Sequence, residues 1–327
     1  MLVAPACAPH QENGGGHAAG DKVRGVILST HTNGSDWAAA DLGATLDEIR
    51  SVGANWVAIH PYAAIGADGS VRFRAVNRAQ LPEYLSHPIA EARRHGLRIV
   101  LMPHLAYWGS PFRWAGEIEF HTGEAWDRFW SGYTQWIVDL AAACPEIDGF
   151  VIGVELDRTL GYEERWRELI RQLRERTGAP LTYGANWTDY QRVPFWDALD
   201  AIGIQAYFPV ADRVGASPAS IAARWQSRMQ ELHEFAARWN RRIVFTELGY
   251  NRAFATPVRP WDAHVDGVEA EPVQETCLRI ALAAVENEPS VAGAFLWKWF
   301  PNPRPVGRNF QLATPRLKRA IADVWRD

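Results

Sequence analysis

The sequence predicts a single (β/α)8 barrel, and three observations lead to it. Eight short β-rich runs alternate with longer amphipathic segments from residue 23 onward. The runs are apolar on both faces, as parallel strands covered by helices must be. The length, 327 residues, is that of one such barrel with extended loops.

The elements follow in order. "VRGVILS" from Val23 reads as the first strand, followed by a helical pattern over 41–52. "NWVAIHP" from Asn55 precedes a helix over 85–95, and "LRIVLMPHL" from Leu97 precedes one over 124–143. "GFVIGVEL" from Gly149 leads to a helix over 162–177, and "LTYGANW" from Leu181 is the fifth strand. "AIGIQAYF" from Ala201 precedes a helix over 217–239, and "RIVFTELGY" from Arg242 one over 272–287. "GAFLWKWF" from Gly293 is the last strand. The helical segments carry apolar residues at three- and four-residue spacing, and several open on Ser, Asp or Thr, whose side chains cap free N–H groups. Strand and helix are thus expected to alternate eight times. A doubly wound open sheet uses the same alternation, but "VRGVILSTHTNG" has no glycine-rich phosphate turn after the first strand. No linker interrupts 23–325, so the barrel is one domain, and the stretch 253–271 reads as a long loop after the seventh strand.

Residues 1–22 read as a leader. "MLVAPACAPHQENGGGHAAGD" resembles the tail of a lipoprotein signal, with Cys7 as the lipid-bearing residue and a Gly-rich tether; a plain leader is the alternative. The first reading favours an extracytoplasmic location. No run is long and apolar enough to span a membrane. A formal net charge of -4 with mixed signs gives no basic stripe, which argues against nucleic acid and anionic membranes as partners. Cys144 and Cys277 read as small buried residues. Sixteen Trp exceed what a core needs, so some rings are expected to line a groove.

In a barrel of this class the site lies at the C-terminal strand ends. Polar residues interrupt the apolar runs there: His31 and Thr32, His60, His104, Glu155, Asn186 with Trp187, Gln205 with Tyr207, Glu247, and Trp297 with Lys298. Two acids at opposite sides of one mouth suit glycosidic bond cleavage, in which one group protonates the leaving oxygen and the other acts across the sugar ring. A gap of about 5–5.5 Å would make the second acid a nucleophile, and roughly 6.5–9.5 Å would admit water instead. Tyr207 and Trp297 read either as core packing or as site residues, the phenol donating to an acid that acts on the sugar and the indole flooring the sugar beside Lys298. His60, His104 and Asn186 offer hydrogen bonds to hydroxyls, and Trp108, Trp114, Trp187 and Trp261 are loop rings that could stack further sugars. The two histidines lack a close metal-binding spacing, so neither metal nor cofactor is expected.

These motifs carry a resemblance. "RGVILSTHTNGSDW", "GANWVAIHPYA", "IVLMPHLAYW", "VIGVELD" and "FTELGY", together with Tyr207 and Trp297, are similar to the retaining (β/α)8 glycoside hydrolases and, within them, to glycoside hydrolase family 113, whose characterised members are mainly β-mannanases. The resemblance covers nearly the whole barrel. It implies Glu155 as acid/base, Glu247 as nucleophile, and a mannan-type oligo- or polysaccharide as substrate; the chain is separately expected to be a monomer. The Asn usual before the acid/base is Val154 here, so the contact it makes to the sugar 2-hydroxyl must come from elsewhere. Another β-glycan hydrolase, an exo-acting mannosidase and a non-catalytic sugar-binding barrel remain alternatives.

Overall fold

The computed structural model describes residues 22–39, 41–106, 109–301 and 309–326. All eight runs form barrel strands: Val23–Leu28, Trp56–Ile59, Arg98–Leu101, Gly149–Val154, Leu181–Asn186, Ile202–Gln205, Ile243–Leu248 and Val291–Trp299. Each pairs with its successor in parallel and the eighth closes on the first, so the barrel is complete. At the closure Val26 stands opposite Val57 on one side and Leu296 on the other.

The two apolar faces of each strand feed two cores. Ile27, Ala58, Met102, Val151, Val244 and Phe295 fill the barrel interior. A larger layer packs the outer strand faces against the helices. Gly25 makes the interior possible: a Cβ there would lie 2.3 Å from the Phe295 ring. Seven tryptophans, Trp37, Trp136, Trp166, Trp196, Trp225, Trp299 and Trp325, are fully buried in the outer layer. Cys144 and Cys277 are buried too.

The helices are α1 (Leu42–Ser51), α2 (Glu83–Arg94), α3 (Gly123–Ala143), α4 (Glu163–Arg174), α5 (Pro218–Trp239), α6 (Glu271–Asn287) and α7 (Pro315–Trp325). Thr122, Ser217 and Thr314 cap α3, α5 and α7 through their side-chain oxygens. None among the described residues is long and apolar enough to cross a membrane.

Strand and helix do not alternate eight times. Between the fifth and sixth strands the chain makes only 3-10 turns, Tyr190–Arg192 and Trp196–Ala198. Pro194 removes a donor in the middle of this segment. Phe195 and Trp196, both fully buried, occupy the space of a helix by packing on Trp166 and Tyr183. The ring of helices is completed by α7, for which the sequence reading had no segment.

A second departure shapes the mouth. Pro103 has no N–H for the ladder, so the third run splits into a barrel strand and the short strand His104–Ala106. That strand pairs in parallel with Tyr62–Ile65, which pairs antiparallel with Val71–Arg72. This small sheet stands beyond the ends of the second and third barrel strands. The leader with Cys7 lies outside the described residues.

Candidate active site

The fourth strand runs to Val154, and Glu155 follows in the left-handed region at φ 49°, a conformation costly for a residue with a Cβ. The turn is pinned on both sides. Glu155 N–H donates to Gly184 O at 2.8 Å, and Leu156 N–H donates to the buried Tyr183 hydroxyl at 2.7 Å. The strain thus turns the Glu155 side chain off the strand and into the mouth. Asn186, ending the neighbouring strand, donates from Nδ2 to Glu155 Oε1 at 2.8 Å. Its own Oδ1 accepts from Thr188 N–H at 3.0 Å and Thr188 Oγ1 at 2.7 Å, which fixes the amide.

Glu247 enters from the seventh strand and is 5% exposed. Tyr207 Oη donates to its Oε2 at 2.6 Å. Gln205 lies beside the same carboxyl, with its Oε1 accepting from Thr246 Oγ1 at 2.6 Å. His104 Nε2 stands 3.8 Å from Glu247 Oε1, too far for a hydrogen bond. The imidazole there is neutral, because burial and then the Lys298 charge lower its pKa to about 4.

Both acids line one cavity of about 380 Å³, together with Tyr62, Trp114, Trp297 and Lys298. Val154 adds an apolar patch to the same wall. The Lys298 ammonium sits 4.9 Å from the Trp297 ring centroid and 5.0 Å from that of Phe300. Burial lowers its pKa to about 8, partly offset by the Glu247 charge.

The carboxyl environments differ. Glu155 is pushed well above the usual carboxylate range by burial, then by the charges of Glu247 and Asp157, against the Asn186 hydrogen bond. Glu247 is raised to about 7 by burial, which the Tyr207 hydrogen bond, the Gln205 amide and the Lys298 charge partly offset. The proton is therefore held more strongly at Glu155, while Glu247 is the more readily ionised. These two sites interact, so the pair titrates as a unit.

Other expected site residues lie elsewhere. His60 is fully buried; it stacks behind His104 with ring centroids 5.2 Å apart and meets Tyr62 and Trp37 edge-on. It is part of the wall's support and does not reach the lining. Trp187 packs on Phe208 and stacks on Trp261 at 5.5 Å, and neither indole is among the residues lining the cavity. Trp108 lies outside the described residues. His31 stacks on Phe300 at 4.4 Å. No group of three or more His, Cys, Asp or Glu side chains among the described residues is arranged to hold a metal ion.

Tyr62 is a lining residue that the sequence does not single out, because it sits two residues past His60, beyond the end of the second apolar run. Asp157 is likewise not singled out; it is buried with Oδ1 lacking a hydrogen bond among the described residues. Burial and Asp189 raise the Asp157 pKa to about 7. Its signal was the same "VELD" that exposed Glu155.

Comparison with known proteins gives the same barrel. The GH113 β-mannanase of Alicyclobacillus acidocaldarius superposes with TM-score 0.79 at 21% identity, over 94% of this chain and 97% of that one. A second GH113 β-1,4-mannanase superposes at 0.81 and 19% identity, over 94% and 99%. A family 5 mannosidase from Rhizomucor miehei superposes at 0.59 and 13% identity, over 94% and 92%. No curated protein matches the sequence. The family model of glycoside hydrolase family 113 matches residues 28–306. A closed barrel with two acids in one mouth, matched over most of its length by that model, belongs to glycoside hydrolase family 113.

Proposed function

We propose that the chain is a retaining endo-β-1,4-mannanase. The observation that carries this reading is the placement of Glu155 and Glu247 in one cavity, each held by its own donor, Asn186 on Glu155 and Tyr207 on Glu247. The names of the family 113 neighbours supply the glycan.

In the first step the Glu155 carboxyl gives its proton to the glycosidic oxygen as the C1–O bond breaks. The ionised Glu247 Oε1 attacks C1, forming a glycosyl ester and releasing the shortened chain. Tyr207 holds Oε2, which leaves Oε1 as the attacking atom. In the second step Glu155, now ionised, removes a proton from water as it attacks C1. The Glu247 ester bond breaks and the proton ends on Glu155. Trp297 floors the cavity and offers a flat apolar face to the ring. Lys298 supplies positive charge near Glu247, favouring its ionised form before attack.

Endo action is supported by the shape of the mouth: a groove of about 850 Å³ adjoins the cavity and shares Tyr62 with it. A chain held there extends beyond the sugar between the acids.

Reducing-end release from mannan, glucomannan and cellulose tests the substrate. Glu155→Gln and Glu247→Gln should each remove nearly all turnover on mannan while the protein stays folded. Proton NMR at early times should show the β-anomer as first product. An α-anomer would replace the covalent step with direct attack by water.

A further inference from the structure

The groove beside the cavity has a chemistry of its own. Its lining includes Thr32, Asn33 and Ser35 from the loop after the first strand, together with Arg72 at the end of the small sheet's edge strand and Phe73 and Arg74 just after it. Arg74 thus follows Arg72 by two residues, and both line the groove.

Neither guanidinium has a carboxylate partner among the described residues. Arg72 Nη1 donates to Ser70 Oγ at 3.2 Å, and the Arg74 guanidinium lies 5.9 Å from the Tyr84 ring centroid. Both contacts orient a cation without neutralising it. Nearby Arg128, by contrast, pairs with Asp68 at 3.0 Å. Glu83 is the one acid lining the groove. It occupies the first turn of α2, where the helix dipole favours a negative charge, and it makes no ion pair with either arginine. Two cations against one anion leave the groove positive, beside rings suited to a pyranose face.

We propose that this groove binds a carboxylate-bearing sugar, a uronic acid residue or branch on the glycan chain whose neighbouring sugar sits between the acids. The proposal rests on the glycan-cleaving reading of the adjoining cavity and adds to it a preference for acidic substitution. A guanidinium fork matches a carboxylate in two-point geometry, so Arg72, oriented by Ser70, or Arg74, oriented by Tyr84, would take the charge.

The test is calorimetric binding to the Glu155→Gln protein, which holds substrate without turning it over. Two probes are used: a mannan oligosaccharide carrying one glucuronic acid branch, and the same compound with the carboxyl reduced to the alcohol. The acidic probe should bind about five- to tenfold more tightly at low salt. That ratio should fall toward one at roughly 0.5 M salt, where surface charges are screened. It should also fall toward one in the Arg72→Ala/Arg74→Ala variant and persist in part in Arg72→Lys/Arg74→Lys. Equal affinity for the two probes, or a preference that survives the double alanine change, overturns the acidic-sugar site alone. Failure of both probes to bind overturns the mannan-type reading together with it.

Discussion

The Tyr207 hydroxyl donates to Glu247 Oε2 at 2.6 Å, and this bond ties the end of the sixth strand to the acid that ends the seventh. A phenol donor favours the ionised carboxylate and leaves the other oxygen free. Tyr207→Phe removes the donor while keeping the ring against Phe310. The Glu247 pKa, about 7 in the intact site, should then rise. The acid limb of the kcat/KM profile is expected to move to higher pH, with kcat lowered about ten- to a hundredfold. An unmoved limb would show that Tyr207 does not tune Glu247.

Asn186 holds the other acid. Its hydrogen bond to Glu155 favours the ionised form, so Asn186→Ala should raise the Glu155 pKa further. The alkaline limb of the profile then moves to higher pH, and kcat falls because the carboxyl loses its anchor. This separates positioning from direct sugar binding, which would raise KM and leave both limbs in place.

The raised carboxyl pKa values also govern stability. A carboxyl whose folded pKa lies above its unfolded value binds more protons when folded, so folding weakens as pH rises between the two values. For Glu247 that window runs from the usual carboxylate range up to about 7. Glu155, also raised, adds to the loss in the same direction. Glu155→Gln, which cannot ionise, should melt at a higher temperature than the parent protein above pH 7 and near the same temperature at pH 4. A scan of thermal midpoints against pH checks it.

Gly25→Ala tests the barrel interior. A methyl group 2.3 Å from the Phe295 ring requires that ring to move within a packed layer, at about 1–3 kcal/mol. The midpoint of denaturant unfolding should fall accordingly, with the slope unchanged.

Much of the scaffold was legible in the sequence because parallel strands buried on both faces leave uninterrupted apolar runs, and acids at the ends of such runs stand out. "VIGVEL" and "FTEL" exposed Glu155 and Glu247 in this way, and Tyr207 followed from its place at the sixth strand end. The missing fifth helix was not legible, because Phe195 and Trp196 replace a helix by contacts with Trp166 and Tyr183 that are distant in sequence. His60 and His104 show the same limit: both end a strand, yet one lines the cavity and the other is buried behind it. The bend at Pro103, which brings His104–Ala106 beside Tyr62–Ile65, separates them. Local periodicity therefore determined the barrel and its two acids. Only the tertiary structure decided which polar strand ends meet, since a side chain's reach into the mouth depends on turns and neighbours from other strands that no local pattern encodes.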